Sequence, residues 1–190
     1  MKRAHFVPDN NFLDDVRFIR TKAQDYLLCQ TLLNEGDRDP QLAINLLQGA
    51  LAAEILCIWR YTMISVSLAG LENPRIDKEF QEQANVESKH MRMIAERIVQ
   101  LGSIPDFSPT GLSSRYGEYG SQADFSSLVA QNLIAEQEVA QHYRDLVGYF
   151  AGRDRITCDM LVDILEDETD HITDMQDLLA LRDDQAPNRT

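Results

Sequence analysis

Four glutamates stand in the middle of apolar helical stripes, and a chain that must bury four carboxylates is held to very few folds. Residues three, four and seven positions apart share a helix face. Around Glu54 those neighbours are Leu47, Ala50, Leu51, Cys57, Ile58 and Tyr61. Around Glu87 they are Phe80, Ala84, His90, Met91 and Ile94, with Gln83 the polar exception. Glu136 has Val129, Leu133, Val139, Ala140 and Tyr143, with Asn132 as polar companion, and Glu168 has Leu161, Ile164, Leu165, His171, Ile172 and Met175. The same test sends other groups outward. Glu138 shares its face with Gln131, Gln141, His142 and Asp145, and Glu166 with Asp159, Asp163, Asp170 and Thr173. Both glutamates, and His142 with them, are expected to be solvated. Trp59 and Arg60 fall off the stripe.

The inward glutamates form a repeated pattern. Glu87 and His90, like Glu168 and His171, are Glu-x-x-His pairs; Glu54 precedes the first by 33 residues and Glu136 the second by 32. Seven residues after each lone glutamate comes a tyrosine, Tyr61 and Tyr143. One Glu-x-x-His on a helix is commonly a coincidence. Two, each on an apolar stripe and each preceded by an inward glutamate at nearly equal distance, are not explained that way.

Burying an isolated carboxylate costs several kcal/mol even after relaxation, against a whole-domain stability of roughly 10 kcal/mol. Compensation is therefore required. Two divalent cations balance four glutamates, and neutral histidines complete the coordination without altering the sum. The i, i+3 spacing sets Glu and His one turn apart on one face, facing a common cavity. Mixed oxygen and nitrogen ligands suit iron or manganese and match magnesium, calcium or a thiolate-seeking ion poorly. The expected ligands are Glu54, Glu87, His90, Glu136, Glu168 and His171. Tyr61 and Tyr143 are expected close behind them, to hydrogen-bond a ligand or quench a radical, or as core tyrosines with satisfied hydroxyls. Cys57, one turn from Glu54, reads as a small buried thiol.

Five helical segments can be read and no strand. The first runs from about Asn11 to Asn34, with Gly36 as a stop. Asp39-Pro40 supplies an N-cap and a first-turn proline for the second, which continues to Gly70. Asn73-Pro74 opens a third that ends at Leu101-Gly102. A fourth spans roughly Asp124 to Phe150 and a fifth Asp154 or Arg155 to Arg182. The Pro-, Gly- and Ser-rich stretch between Gly102 and Ala123 is long for a structureless loop, but it is the reach that a bundle with one end-to-end crossover needs. The organisation expected is a single domain over 1–190: an N-terminal extension helix in 1–38, a four-helix bundle in 39–182 and a flexible tail in 183–190.

Composition narrows the partners. A formal net charge of −13 argues against a broad footprint for nucleic acid or an anionic membrane. Three cysteines with no CxxC spacing do not make a disulfide framework or a zinc knuckle. No stretch reads as a membrane span or signal peptide, so a cytoplasmic setting is expected. Lys2, Arg3, Arg17, Arg20 and Lys22 make the N-terminus less acidic than the rest, but Asp9, Asp14 and Asp15 intervene. A DNA contact there is not expected, and the first helix is read as a cover for the bundle or a subunit interface.

Over about Pro40 to Ala180 the chain resembles the ferritin-like di-iron carboxylate proteins, in their bacterioferritin and Dps-like branch. The segments that carry the resemblance are Glu54 within Ala-Leu-Ala-Ala-Glu-Ile-Leu, Glu87-Ser-Lys-His90, Asn132-Leu-Ile-Ala-Glu136 and Glu168-Thr-Asp-His171, with Ile98 to Phe107 and Asn132 to Tyr143. The resemblance implies an all-α, ferritin-like four-helix bundle with one long crossover loop and an extra N-terminal helix. It implies a ferroxidase centre within one subunit that holds two Fe ions (Mn is the other candidate), oxidises Fe(II) with O2 or H2O2, and sits in a homo-oligomeric shell. Storage of the product and protection from oxidative stress would follow. Ser88 stands where haem-binding bacterioferritins carry Met, so haem is not expected. No fifth bundle-end helix follows Arg182, which favours a dodecamer over a 24-subunit cage. Two other readings share these residues: a manganese catalase-like or other di-metal oxidase, and a non-enzymatic helical bundle that binds DNA or a protein partner.

Overall fold

The computed structural model describes residues 10–32, 40–68, 74–108 and 125–183. Five α-helices account for nearly all of them: α1 (Asn10–Leu32), α2 (Pro40–Leu68), α3 (Pro74–Gln100), α4 (Phe125–Phe150) and α5 (Arg155–Asp183). Among the described residues there is no strand. The expected stop at Gly36, the basic residues Lys2 and Arg3, the boundary at 38, most of the crossover and the tail beyond Asp183 lie outside the described residues.

Local chemistry sets the ends that are described. Pro40 and Pro74 occupy the first positions of α2 and α3, where the missing N–H is one that a helix start leaves unbonded anyway. α3 stops at Gly102, whose φ of 84° is open to glycine at little steric cost. There the Gly102 N–H donates to the Val99 carbonyl at 2.9 Å and the Ser103 N–H to that of Ile98 at 3.1 Å. Asp154 caps α5: Oδ1 accepts from the Thr157 N–H at 3.1 Å, while Oδ2 accepts from Arg97 Nη2 on α3 at 2.7 Å. One carboxylate thus starts α5 and ties it to the far end of α3.

The bundle is two antiparallel hairpins, α2–α3 and α4–α5. Glu54 of α2 meets Tyr143 of α4, and Arg60, farther along α2, meets Gln131 and Asn132, earlier on α4. α2 and α4 are therefore antiparallel, which makes α3 and α4 parallel. The chain must cross from one end of the bundle to the other between Gln100 and Phe125. The core runs along the shared axis through Leu47, Leu51, Phe80, Ile94, Ile98, Val129, Leu146, Leu161 and Ile164, none more than 1% exposed.

α2 is long and apolar enough over Pro40–Val66, with a mean hydropathy of 1.7 in its best window, to pass for a membrane span by composition alone. That departs from the expectation that no stretch would. Its apolarity has a local reason, because α2 packs against α1, α3 and α4 at once. Glu54 and Arg60 lie in its buried part.

α1 lies across α2 and α4. Phe12, Leu13, Val16 and Ala23 form its buried edge, and Ile19 packs close to Gly49 of α2. Its polar edge meets α4: Arg20 pairs with Glu138 and reaches Asp145 at 3.8 Å, Arg17 reaches Glu138 at 3.5 Å, and Gln24 donates to Asp145 at 3.3 Å. Two expectations are corrected by this contact. Glu138 is half-buried in an ion pair, and His142 is only 2% exposed. Periodicity read that face of α4 as polar and hence wet, but a second helix with arginines at matching positions covers it. Arg60, off the apolar stripe, is also buried; its guanidinium lies 5.2 Å from the Phe12 ring centre and donates to Gln131 and Asn132.

Candidate metal centre

Glu54 on α2, Glu87 and His90 on α3, Glu136 on α4, and Glu168 and His171 on α5 converge at mid-bundle, each no more than 5% exposed. Their ligand atoms fall into two groups, each within 4.8 Å throughout: Glu54, Glu87, His90 and Glu168 in one, Glu87, Glu136, Glu168 and His171 in the other. Glu87 and Glu168 belong to both. The spacing explains the sharing, since each Glu-x-x-His glutamate is one turn from its own histidine and faces the opposite helix across the axis.

The two histidines present the same nitrogen. His90 Nδ1 is 3.1 Å from Glu87 Oε2, 3.4 Å from Glu168 Oε1 and 3.5 Å from Glu54 Oε2. His171 Nδ1 is 3.2 Å from Glu87 Oε1, 3.8 Å from Glu168 Oε2 and 3.9 Å from Glu136 Oε2. Most of these approaches are close enough for ion pairing but are not aligned as hydrogen bonds. Six carboxylate oxygens of the four glutamates therefore have no hydrogen-bond partner, although they are buried. Buried polar atoms are nearly always bonded, so a cluster of this kind fits a cation-binding site by the chemistry of its donors.

Burial and the cluster's own charges set the direction in which its groups ionise. Burial pushes the Glu54 carboxyl up, and the nearby Glu87 and Glu168 carboxylates push it further. Burial and Glu168 do the same to Glu136. Burial also opposes ionisation of Glu87, but the two imidazoles beside it, His171 and His90, outweigh it and hold Glu87 down at about 2. His171, despite burial, is held up at about 11 by Glu168 and Glu87. His90 is likewise raised, against the effect of burial, by Glu168, Glu54 and Glu87.

Tyr143 reaches across from α4 and donates its hydroxyl to Glu54 Oε1. Tyr61, its counterpart in the repeat, is equally buried, but its hydroxyl has no partner and its ring lies 6.0 Å from that of Phe80. Cys57 is buried among the glutamates, with its thiol pushed up by burial and then by their charges. Glu166 is exposed, as expected.

Sequence reasoning missed Asp167. Its Oδ2 lies 3.0 Å from His90 Nε2, the ring nitrogen turned away from the glutamates, while the rest of its side chain is half in solvent. No periodicity within α5 signals this, because the partner is on α3. The residue in the matching place before Glu87 is Val86, so the repeat does not supply His171 with the same contact.

Known proteins place this arrangement. A protein described as "DNA protection during starvation protein" from Pyrococcus furiosus is 29% identical over 147 residues, covering 74% of this chain and 78% of its own length. A solved structure described as a dodecameric thioferritin, the bacterioferritin-related protein from Bacteroides fragilis, superposes with a TM-score of 0.69 at 29% identity. That match covers 82% of this chain and 95% of the other. The profile described as "Ferritin: Ferritin-like domain" matches residues 44–183, from the second turn of α2 to the end of α5 and with all six converging side chains inside it. The chain belongs to the ferritin-like domain family.

Proposed function

We propose that this chain is a ferroxidase that binds two Fe(II) ions per subunit at the mid-bundle cluster and oxidises them with H2O2 or O2. The observation that carries the reading is the membership of Glu87 and Glu168 in both ligand groups, which is what bridging a pair of cations requires. Glu54 with His90 completes one position, and Glu136 with His171 the other. Manganese fits the same ligands.

Iron is the substrate. Each Fe(II) gives up one electron. Hydrogen peroxide accepts two electrons and two protons as its O–O bond breaks, giving two waters; O2 accepts two electrons and two protons to give hydrogen peroxide. The protein's part is to desolvate the ions, hold them together and fix the ligands' orientation. Tyr143 restrains Glu54, and Asp167 holds the His90 ring so that Nδ1 faces inward.

The dodecameric neighbour supports assembly of this chain into a dodecamer, with a 24-subunit cage as the other outcome of a solution mass measurement. A DNA contact through α1 is not favoured, because Arg17 and Arg20 are engaged with Glu138 and Asp145.

Anaerobic titration of the metal-free protein should saturate near two Fe(II) per chain, the number that four carboxylates balance. Glu87→Ala should lower the uptake at both positions together. A stoichiometry near one, or titrations unchanged in Glu87→Ala and His171→Ala, overturns the proposal.

A further inference from the structure

Three buried side chains near the glutamates carry polar atoms without a hydrogen-bond partner and lie outside the proposed ligand set. On α3, Gln83 is 2% exposed and neither Oε1 nor Nε2 is bonded. On α2, Tyr61 is fully buried with an unpaired hydroxyl. On α4, Asn132 accepts from Arg60 through Oδ1, but its Nδ2 has no partner.

All three are displaced from the glutamates in the same direction. The Tyr61–Phe80 ring contact sets the residue seven after Glu54 beside the residue seven before Glu87. Gln83 is one turn from Phe80, on the way to Glu87. Arg60, next to Tyr61, bonds Asn132, which is one turn before Glu136. The three therefore sit on the side of the cluster that faces the α2–α3 connection. On the opposite side the second tyrosine of the repeat, Tyr143, is satisfied by Glu54. On α5 the position matching Gln83 is Ile164, fully buried and apolar. The other buried side chain on α4 outside the ligand set with unpaired polar atoms, His142, lies beyond Glu136 in the opposite direction and beside Arg20 of α1, and the internal repeat does not account for the three on this side.

We propose that Gln83, Tyr61 and Asn132 line a hydrated subsite for hydrogen peroxide beside the glutamate cluster. Together they offer donors (the two amide NH2 groups and the phenol) and acceptors (Gln83 Oε1 and the phenol oxygen). This mixture matches a small uncharged molecule that both donates and accepts. An anion would meet Oε1 with four glutamates behind it, a cation would meet the amide donors, and O2 has no proton to donate. Water and hydrogen peroxide share the required chemistry, water holding the subsite until peroxide displaces it. The peroxide role rests on the ferroxidase reading; the hydration does not.

Gln83→Leu and Tyr61→Phe in the full chain test this with three readouts. Co(II) titration should give the wild-type stoichiometry in both variants. In Fe(II) oxidation the ratio of the peroxide-driven to the O2-driven rate should fall about five- to ten-fold, and the apparent KM for peroxide should rise to match, as loss of one or two hydrogen bonds implies. An unchanged ratio, or equal loss with both oxidants, overturns the peroxide site and leaves at most a structural water. Hydration is read from the Tm of metal-free Gln83→Leu. A dry, unpaired amide replaced by leucine raises Tm, whereas a hydrated one leaves it unchanged or lowered, so a rise overturns the subsite altogether. Should wild-type chain fail to take up Co(II), the ferroxidase reading fails by itself, and with it the peroxide role, while Tm still decides hydration. If Gln83→Leu does not fold, Tyr61→Phe carries the oxidant comparison and its own Tm.

Discussion

The Tyr143 hydroxyl donates to Oε1 of Glu54 across the bundle, joining the tyrosine of the second half of the repeat to the lone glutamate of the first. The bond holds one proposed ligand from outside its own helix. Tyr143→Phe should therefore weaken one metal position about 10- to 100-fold, the worth of one hydrogen bond to a carboxylate, and leave the other unchanged. A biphasic Co(II) titration would report this directly. An unaltered isotherm would show that Glu54 needs no such restraint.

Asp167 should matter more than its exposure suggests. A carboxylate on the far nitrogen of a metal-binding imidazole fixes both tautomer and ring orientation, and its loss commonly lowers affinity 10- to 100-fold. Asp167→Asn is expected to act on the position served by His90 and to spare the one served by His171. Equal weakening at both positions would contradict the assignment.

Metal uptake should release protons. Glu54 and Glu136 are held above the usual carboxylate range, chiefly by burial, and His90 and His171 above the usual imidazole range by the glutamates. At neutral pH both histidines hold protons that the cations must displace, and the raised carboxyls of Glu54 and Glu136 act in the same direction, so at least two protons should leave per chain at saturation. Because protons compete for the ligands, apparent affinity should rise with pH. Calorimetry in two buffers of different ionisation enthalpy measures the number, and a heat independent of buffer would refute it.

His142 predicts a pH dependence of stability that is separate from the metal centre. Burial between α1 and α4, with Arg20 adding to it and Asp145 opposing, lowers it to about 4. The unfolded chain's imidazole titrates near 6.5. Above that pH both states are neutral there and stability is at its full value. As pH falls from about 6.5 to about 4 the unfolded state takes up a proton that the folded state refuses, and stability is lost, by roughly 3 kcal/mol at most. Chemical denaturation of metal-free wild type and His142→Gln in parallel should show a shallower acid slope in the variant. Parallel curves would mean that α1 does not seal the ring.

The six converging side chains were legible because each obeys a rule that works within one helix: a carboxylate or imidazole at core spacing among apolar neighbours. The rule speaks only about a helix's own face. It put His142 and Glu138 in water because their neighbours on α4 are polar, and it could not see the arginines of α1 that cover them. Asp167 escaped for the same reason, its partner being 77 residues away on another helix. Helix ends marked by Pro40, Pro74, Gly102 and Asp154 were readable from local chemistry alone. Arg60 was not, since its place is set by Phe12 and Asn132 on two other helices.

Val86 stands where Asp167 stands in the other half of the repeat, and that difference separates the surroundings of the two histidines. Two cations bound beside them would not be interchangeable: the pocket with the anchored imidazole should fill first, and its occupant should be the slower to leave. A chain loaded with one equivalent of a slowly exchanging metal and then one of a second should therefore yield a defined mixed pair.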